Sequence, residues 1–330
     1  MHLSSIQHQL TILASILLLA GCNRAPNQEA GAPPVLRIGF FPNITHAQGL
    51  IGYQETTTKG SDGWFEKATG AKIEWLPFNA GPSAIEALLA GSIDATYVGP
   101  SPALNGYTRT ATADIRVLTG AARGGSALLI RKGSSLKTPA DFRGKKIATP
   151  QLGNTQDIAA RAWLASGGLK ITPGGGDAFV IPTQNPDQLD LLKRGELDAA
   201  WTVEPWVSRL EMESDAEVLL QQDDSLATVL ATGTRALTTK RELLQKLLVA
   251  HEALTTKIAA EPEWAKPLVA SAIGKLTTKP IPQPLLERAW PRLRFSTDLQ
   301  AADFTDFQRD ARAAGLLNET ADLAKLITRP

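Results

Sequence analysis

Short apolar runs alternate along the chain with stretches whose apolar positions recur every three to four residues, and Gly, Pro, Ser or Asn marks each change of period. VLRIGFF (35–41) reads as a first strand, and the loop PNITHAQG after it leads into helical sequence running toward GWFEKATG. KIEWLPF (72–78) reads as a second strand. In NAGPSAIEALLAGS, Ser83 and Glu86 have the spacing of a capping box ahead of Ile85, Leu88 and Leu89, and Gly91 is suited to end that helix in a left-handed conformation. DATYVG is the third strand. The order strand, helix, strand, helix, strand predicts right-handed crossovers and a mostly parallel sheet.

The same grammar returns. AGSIDATYVGPSP (90–102) is echoed 104 positions later by RGELDAAWTVEPW (194–206), with Gly91 matching Gly195, Asp94 matching Asp198 and Tyr97 matching Trp201. The second copy begins at KKIATP (145–150). QLGNTQDIAARAWLASGG follows, with Asn154 as N-cap and Gly167–Gly168 as stop, then the strand AFVIPT. NPDQLDLLKRGE offers Asn185 as N-cap and Pro186 at the first helical position, and DAAWTV completes the unit. Two segments join the copies: VLTGAARGGSALLIRK (117–132), two strand-like runs broken by Gly124–Gly125, and ATVLATGTRALTTK (227–240), a strand with Gly233 in its middle. After Lys240 the pattern is chiefly helical, with no third βαβαβ unit, so this tail is expected to pack back on the first copy. The expected division is one lobe from 35–121 with 228–330, and a second from 122–227.

Composition removes several classes. Lys and Arg total 34 against 33 Asp and Glu, a net charge of +1 that argues against nucleic acid as partner. The single cysteine, Cys22, rules out an intrachain disulfide, and His2, His8, His46 and His251 show no metal-binding spacing, so neither metal nor cofactor is expected. LTILASILLLAGC (10–22) is too short to span a bilayer but has the length of an export-signal core. Its end, Leu19-Ala20-Gly21-Cys22, resembles a bacterial lipoprotein signal, although the leader MHLSSIQHQ carries no Lys or Arg. A signal peptide over 1–22, lipidation at Cys22 and a flexible tether over 23–34 are the expectation, with a soluble signal peptide as the alternative.

Two α/β lobes joined by two crossings are the plan of a solute-binding protein that closes by a hinge. LRIGFFPNITHAQGL, FNAGPSAIEALLAGSIDATYVGPSPALNGY, GKKIATPQLGNTQDIAARAWL and GELDAAWTVEPW together resemble the substrate-binding proteins of the nitrate/sulfonate/taurine class of ABC importers, over most of 35–325. The aliphatic-sulfonate branch looks most similar. The resemblance implies an α/β, two-lobed periplasmic binding protein fold of type II, in which two βαβαβ lobes are joined by a two-strand hinge. It also implies permease and ATPase partners, and a small anionic or zwitterionic solute such as an aliphatic sulfonate. Nitrate, phosphonates and thiamine pyrimidine precursors remain as alternatives. The expected location is the periplasm or cell surface.

In open α/β sheets ligands bind beyond the carboxyl ends of strands, beside helix N-termini. That rule selects Asn43, Thr45 and His46 after the first strand, Ser83 in the next loop and Ser101 in GPSP. In the second copy it selects Gly153, Asn154, Thr155 and Gln156, where a glycine lets backbone approach a ligand and a helix begins with free N–H groups suited to an oxyanion. Gly125 and Ser126 at the crossing offer donors, and Arg109 and Arg123 are candidate countercharges. Trp206 is placed to cover an aliphatic group, whereas Trp201 reads as core. Glu204 suits an ammonium group or a cleft arginine, and so bears on zwitterion against anion. An enzyme on this fold is the other class considered, but the chain shows no G-x-S-x-G turn, P-loop or dinucleotide fingerprint, and PGGGD (173–177) has the wrong order for a phosphate loop. A transcriptional effector domain would need a helix-turn-helix region, which is missing.

Overall fold

Each strand follows from a run of apolar residues between turn formers, and each helix from a stretch of helix period. A computed structural model describes residues 32–109, 114–318 and 320–330. The expected signal peptide, Cys22 and most of the tether lie outside the described residues. The first unit is β1 (Val35–Phe40), α1 (Ala47–Lys59), α2 (Trp64–Thr69), β2 (Lys72–Pro77), α3 (Gly81–Leu89), β3 (Ala95–Val98) and α4 (Pro100–Arg109). Strands β4 (Ile115–Gly124) and β5 (Ser126–Arg131) lead onward. The second unit is β6 (Lys146–Thr149), α5 (Thr155–Ser166), the ribbon β7 (Ile171–Thr172) and β8 (Gly175–Gly176), β9 (Phe179–Pro182), α6 (Asn185–Lys193), β10 (Ala199–Val203) and α7 (Trp206–Glu213). Strands β11 (Ala216–Gln222) and β12 (Leu226–Gly233) return the chain. It ends through α8 (Thr234–Thr239), α9 (Arg241–Ala260), α10 (Pro262–Thr277), α11 (Gln283–Ala289), β13 (Leu293–Phe295) and α12 (Thr305–Ala313).

The two larger sheets share one strand order. The first runs β2-β1-β3-β12-β4-β13 and the second β9-β6-β10-β5-β11. In both, the three strands of the βαβαβ unit are parallel, and the neighbour of the third strand is an antiparallel strand that has just arrived from the other sheet. The sheets are therefore mixed rather than mostly parallel, because the crossing strands are built into them. Apolar clusters cover both faces of each, which is why β3 and β10 are buried along their whole length. Val35–Pro330 form one compact unit.

The repeated sequence has a repeated job. Asp94 Oδ2 accepts a hydrogen bond from Arg37 N on β1 at 2.8 Å, and Asp198 Oδ2 accepts one from Lys146 N on β6 at 2.9 Å. Gly91 and Gly195, at φ 71° and 73°, make the turns that bring those carboxylates to the strand starts.

Some local expectations shift. The helix expected to be capped at Ser83 starts at Gly81, because Pro82 fits its first turn, so Ser83 lies inside it and caps nothing. α6 begins one residue early, at Asn185, with Gln184 as N-cap. Asn185 instead accepts from Thr202 Oγ1 at 2.8 Å. Gly233 ends β12, and residues 234–239 are helix rather than strand. Asn154 caps α5 as expected, its side chain accepting from Asp157 N. The tail does pack on the first sheet, through α9, α10 and the unforeseen β13, which pairs with β4.

Candidate functional site

The strand ends of the two sheets face one another and enclose a polar cavity of about 30 Å3. The first sheet contributes Phe41, Asn43, Thr45 and His46 after β1, Asn79, Ala80 and Gly81 after β2, and Gly99 and Pro102 after β3. The second contributes Pro150, Asn154, Thr155 and Gln156 after β6, and Val203 from β10. The N-terminal ends of α3, α4 and α5 thus converge here, each belonging to a helix of nine residues or more. Such ends carry positive potential and unsatisfied N–H groups. In α5, Asn154 takes Asp157 N through its side chain and Ile158 N through its carbonyl, which leaves the amides of Thr155 and Gln156 for a ligand.

No Lys, Arg, Asp or Glu is among the residues lining this cavity. His46 is its titratable group, and burial holds its imidazole down at about 3, so the ring is neutral at physiological pH. Of the buried polar atoms without a hydrogen-bond partner among the described residues, His46 Nδ1 and Thr155 Oγ1 belong to residues lining this cavity, and Ser101 Oγ stands at the adjoining first turn of α4. Buried polar groups are costly unless paired, so their clustering here marks a place for a ligand. Several carbonyl oxygens nearby are already engaged. Asn43 Oδ1 accepts from Trp206 Nε1 at 3.1 Å and Asn185 Nδ2 at 3.4 Å, and Gln156 Oε1 accepts from Asn154 Nδ2 at 3.1 Å.

Of the residues that sequence reasoning selected, Asn43, Thr45, His46, Asn154, Thr155 and Gln156 line the cavity, and Ser101 adjoins it. The others take different places. Ser83 hydrogen-bonds Gln151 at 3.0 Å at the cleft mouth. Ser126 lies behind the cavity, accepting from Gln156 Nε2 and Trp201 Nε1 at 3.4 and 3.2 Å. Gly153 N is taken by Asp157 Oδ2, and Gly125 turns the chain between β4 and β5 at φ 72°. Trp206 is buried with Arg209 over its ring, so it orients Asn43 rather than covering the cavity.

Glu204 is fully buried and paired: Ser208 N and Oγ donate to it at 3.0 and 2.8 Å, and Arg292 Nη1 at 3.0 Å. Burial pushes its carboxyl above the usual range against the opposing pull of Ser208 and Arg292. Arg109 pairs with Glu86 at the surface and Arg123 with Asp303, and neither lines the cavity. Among the lining residues not singled out individually are Phe41 and Ala227, and also Asn79, Gly99, Pro150 and Val203, which lie in strand-end loops of the kind the rule selects. Asn79 was legible only through the rule that strand-end loops carry ligands, because Ser83 looked like the polar group of that loop.

The chain matches the NMT1-like family over residues 29–273. It belongs to that family. It is 28% identical over 163 residues to the taurine-binding periplasmic protein of Escherichia coli (strain K12), covering 49% of this chain and 48% of that one. It is also 28% identical over 225 residues to a putative aliphatic sulfonates-binding protein of Bacillus subtilis (strain 168), covering 66% of this chain and 62% of that one. It therefore spans about half to three-fifths of the length of these curated relatives. In structure it is similar to the alkanesulfonate-binding protein SsuA from Xanthomonas axonopodis pv. citri bound to MOPS, with TM-score 0.71, 22% identity and coverage of 91% of this chain and 100% of that one. The fold is that of the periplasmic binding proteins, and the common strand order of the two sheets is its duplicated plan. No helix among the described residues is long and apolar enough to cross a membrane.

Proposed function

We propose that this chain is the extracytoplasmic binding component of an ABC importer, that it binds a sulfonate as its anion, and that it is not an enzyme. The lobes 35–121 with 228–330 and 122–227 close on the solute and present it to permease and ATPase subunits. The observation that carries this reading is a charge-free cavity where helix N-termini meet three buried polar atoms that have no partner. Neutral donors to an oxyanion form charge-assisted hydrogen bonds of about 1.5–3 kcal/mol each, so a handful offsets the several kcal/mol of desolvating a monoanion. With no charged residue in its lining, the cavity suits a monoanion, whose desolvation costs less than that of a dianion, which favours a sulfonate over a doubly ionised phosphonate. With Glu204 committed to Arg292, no lining carboxylate receives the ammonium group of taurine. The relatives named for aliphatic sulfonates and for taurine support the solute class.

Calorimetric titration with ethanesulfonate, taurine, nitrate and methylphosphonate tests the reading. Ethanesulfonate is expected to bind at least about 10-fold more tightly than taurine, to raise the melting temperature, and to be recovered chemically intact. Absence of any sulfonate binding would sink the solute class, and consumption of the sulfonate would sink the binding role. The Leu19-Ala20-Gly21-Cys22 signal supports lipid anchoring at the periplasmic or cell-surface face of a bacterial membrane. A Cys22→Ala chain expressed in a bacterium is expected to leave the membrane fraction. Retention there equal to that of the unaltered chain would overturn the anchor.

A further inference from the structure

A fully buried ion pair follows the free amides of Thr155 and Gln156 in α5. Asp157 and Arg161 are 0% and 1% exposed, and Asp157 Oδ2 accepts from Arg161 Nε at 2.9 Å. The same Oδ2 accepts from Gly153 N at 2.9 Å, and Oδ1 accepts from Thr149 Oγ1 at 3.1 Å. One carboxylate thus ties the end of β6 to the turn at Gly153, where φ is 78°, and that turn to α5. Asn154 Oδ1 takes Asp157 N at 2.8 Å, so the residues whose amides face the cavity sit in a loop closed on itself. Arg161 does not line the cavity: its Nη1 donates to Thr172 O at 3.0 Å and its Nη2 to Val180 O at 3.4 Å. A buried ion pair adds little net stability over apolar packing, but a buried carboxylate left alone is costly. Here an unpaired carboxylate would also set a negative charge one residue from an amide that serves an anion.

We propose that Asp157 and Arg161 are positioning residues of the anion site. Asp157 holds the turn that leaves the Thr155 and Gln156 amides free, and Arg161 cancels the charge that Asp157 would otherwise set against the ligand. The inference rests on the reading of the cavity as a sulfonate head-group site. The test is calorimetry with ethanesulfonate on wild type, Asp157→Asn, Arg161→Gln and the double variant, with urea unfolding of each chain. An asparagine at 157 can accept from Gly153 N and Arg161 Nε and donate to Thr149 Oγ1, so it keeps the turn and leaves Arg161 unopposed. Asp157→Asn is therefore expected to bind about 3-fold more tightly than wild type while being less stable, and a purely structural pair cannot move the two in opposite directions. Arg161→Gln should bind about 10-fold more weakly, and the double variant, with neither charge, within about 3-fold of wild type. Equal affinity in wild type and both single variants, or equal weakening in the two, overturns the role of the pair while leaving the head-group reading standing. So does a double variant weakened more than about 10-fold, a comparison that holds even where a single variant fails to fold. A wild-type chain that binds no ethanesulfonate defeats the head-group reading itself, and the role of the pair with it.

Discussion

His46 and His251 illustrate what burial does to a titratable residue. His251 is fully buried, its Nδ1 3.0 Å from the Tyr97 hydroxyl and its Nε2 2.9 Å from the Gly120 carbonyl oxygen. Burial lowers its imidazole to about 4, against a smaller opposing effect of the Gly120 carbonyl, and lowers His46 to about 3. Both folded values lie below the unfolded value near 6.5, so the unfolded chain takes up protons that the folded chain refuses. Stability from these groups is complete above pH ~6.5 and is lost as pH falls toward their folded values. For His251 alone the loss amounts to about 2 kcal/mol between pH 7.5 and 5. Urea unfolding of wild type and His251→Gln at those two pH values measures it. The variant is less stable at pH 7.5, through its altered network, but should lose about 2 kcal/mol less on acidification; equal losses in the two chains would refute the assignment.

At the scale of elements, the legible parts of the fold are those whose cause is local. β1, β2, β3, β6, β9 and β10 were readable because each is an apolar run between turn formers, and α5 because Asn154 is a good cap at the right place. Asp94 and Asp198 were visible as a repeat, but their bonds to Arg37 N and Lys146 N were not, since these join residues 57 and 52 positions apart. What local pattern cannot supply is a choice between partners. Glu204 was read as a group for an ammonium ion or an arginine, and only the fold brings Arg292 to it from 88 residues away. β13 is three residues long and exists because β4 offers it an edge, so no periodicity announced it. The start of α3 was misplaced because a Ser-x-x-Glu spacing competes with a proline that suits a first turn equally well. The same misplacement put Ser83 ahead of Asn79 as the candidate contact.

At the scale of the whole molecule, the cavity exists only because the two sheets' strand ends are held together. Ile44 N donates to Glu204 O at 2.9 Å, Asn79 Nδ2 to Pro150 O at 3.2 Å, and Arg292 bridges to Glu204 and Glu211 at 3.0 and 2.7 Å. These bonds cross the line along which lobes would part, while Gly124 and Gly125 sit at one of the two crossings. Gly99 lies close against the other side, since a Cβ there would collide with Thr155 Oγ1. Its nearest other neighbour, Pro102 Cδ, would lie at an ordinary 3.6 Å, so an alanine at 99 meets an obstacle only when the halves are together. Gly99→Ala should therefore fold normally and yet close poorly. Overpacking of this kind costs about 1–3 kcal/mol, so sulfonate affinity should fall about 5- to 150-fold, and the decrease in radius of gyration on ligand addition, measured by small-angle X-ray scattering, should shrink with it. Retention of both wild-type affinity and wild-type compaction by Gly99→Ala would show that ligand capture does not require the Gly99–Thr155 approach.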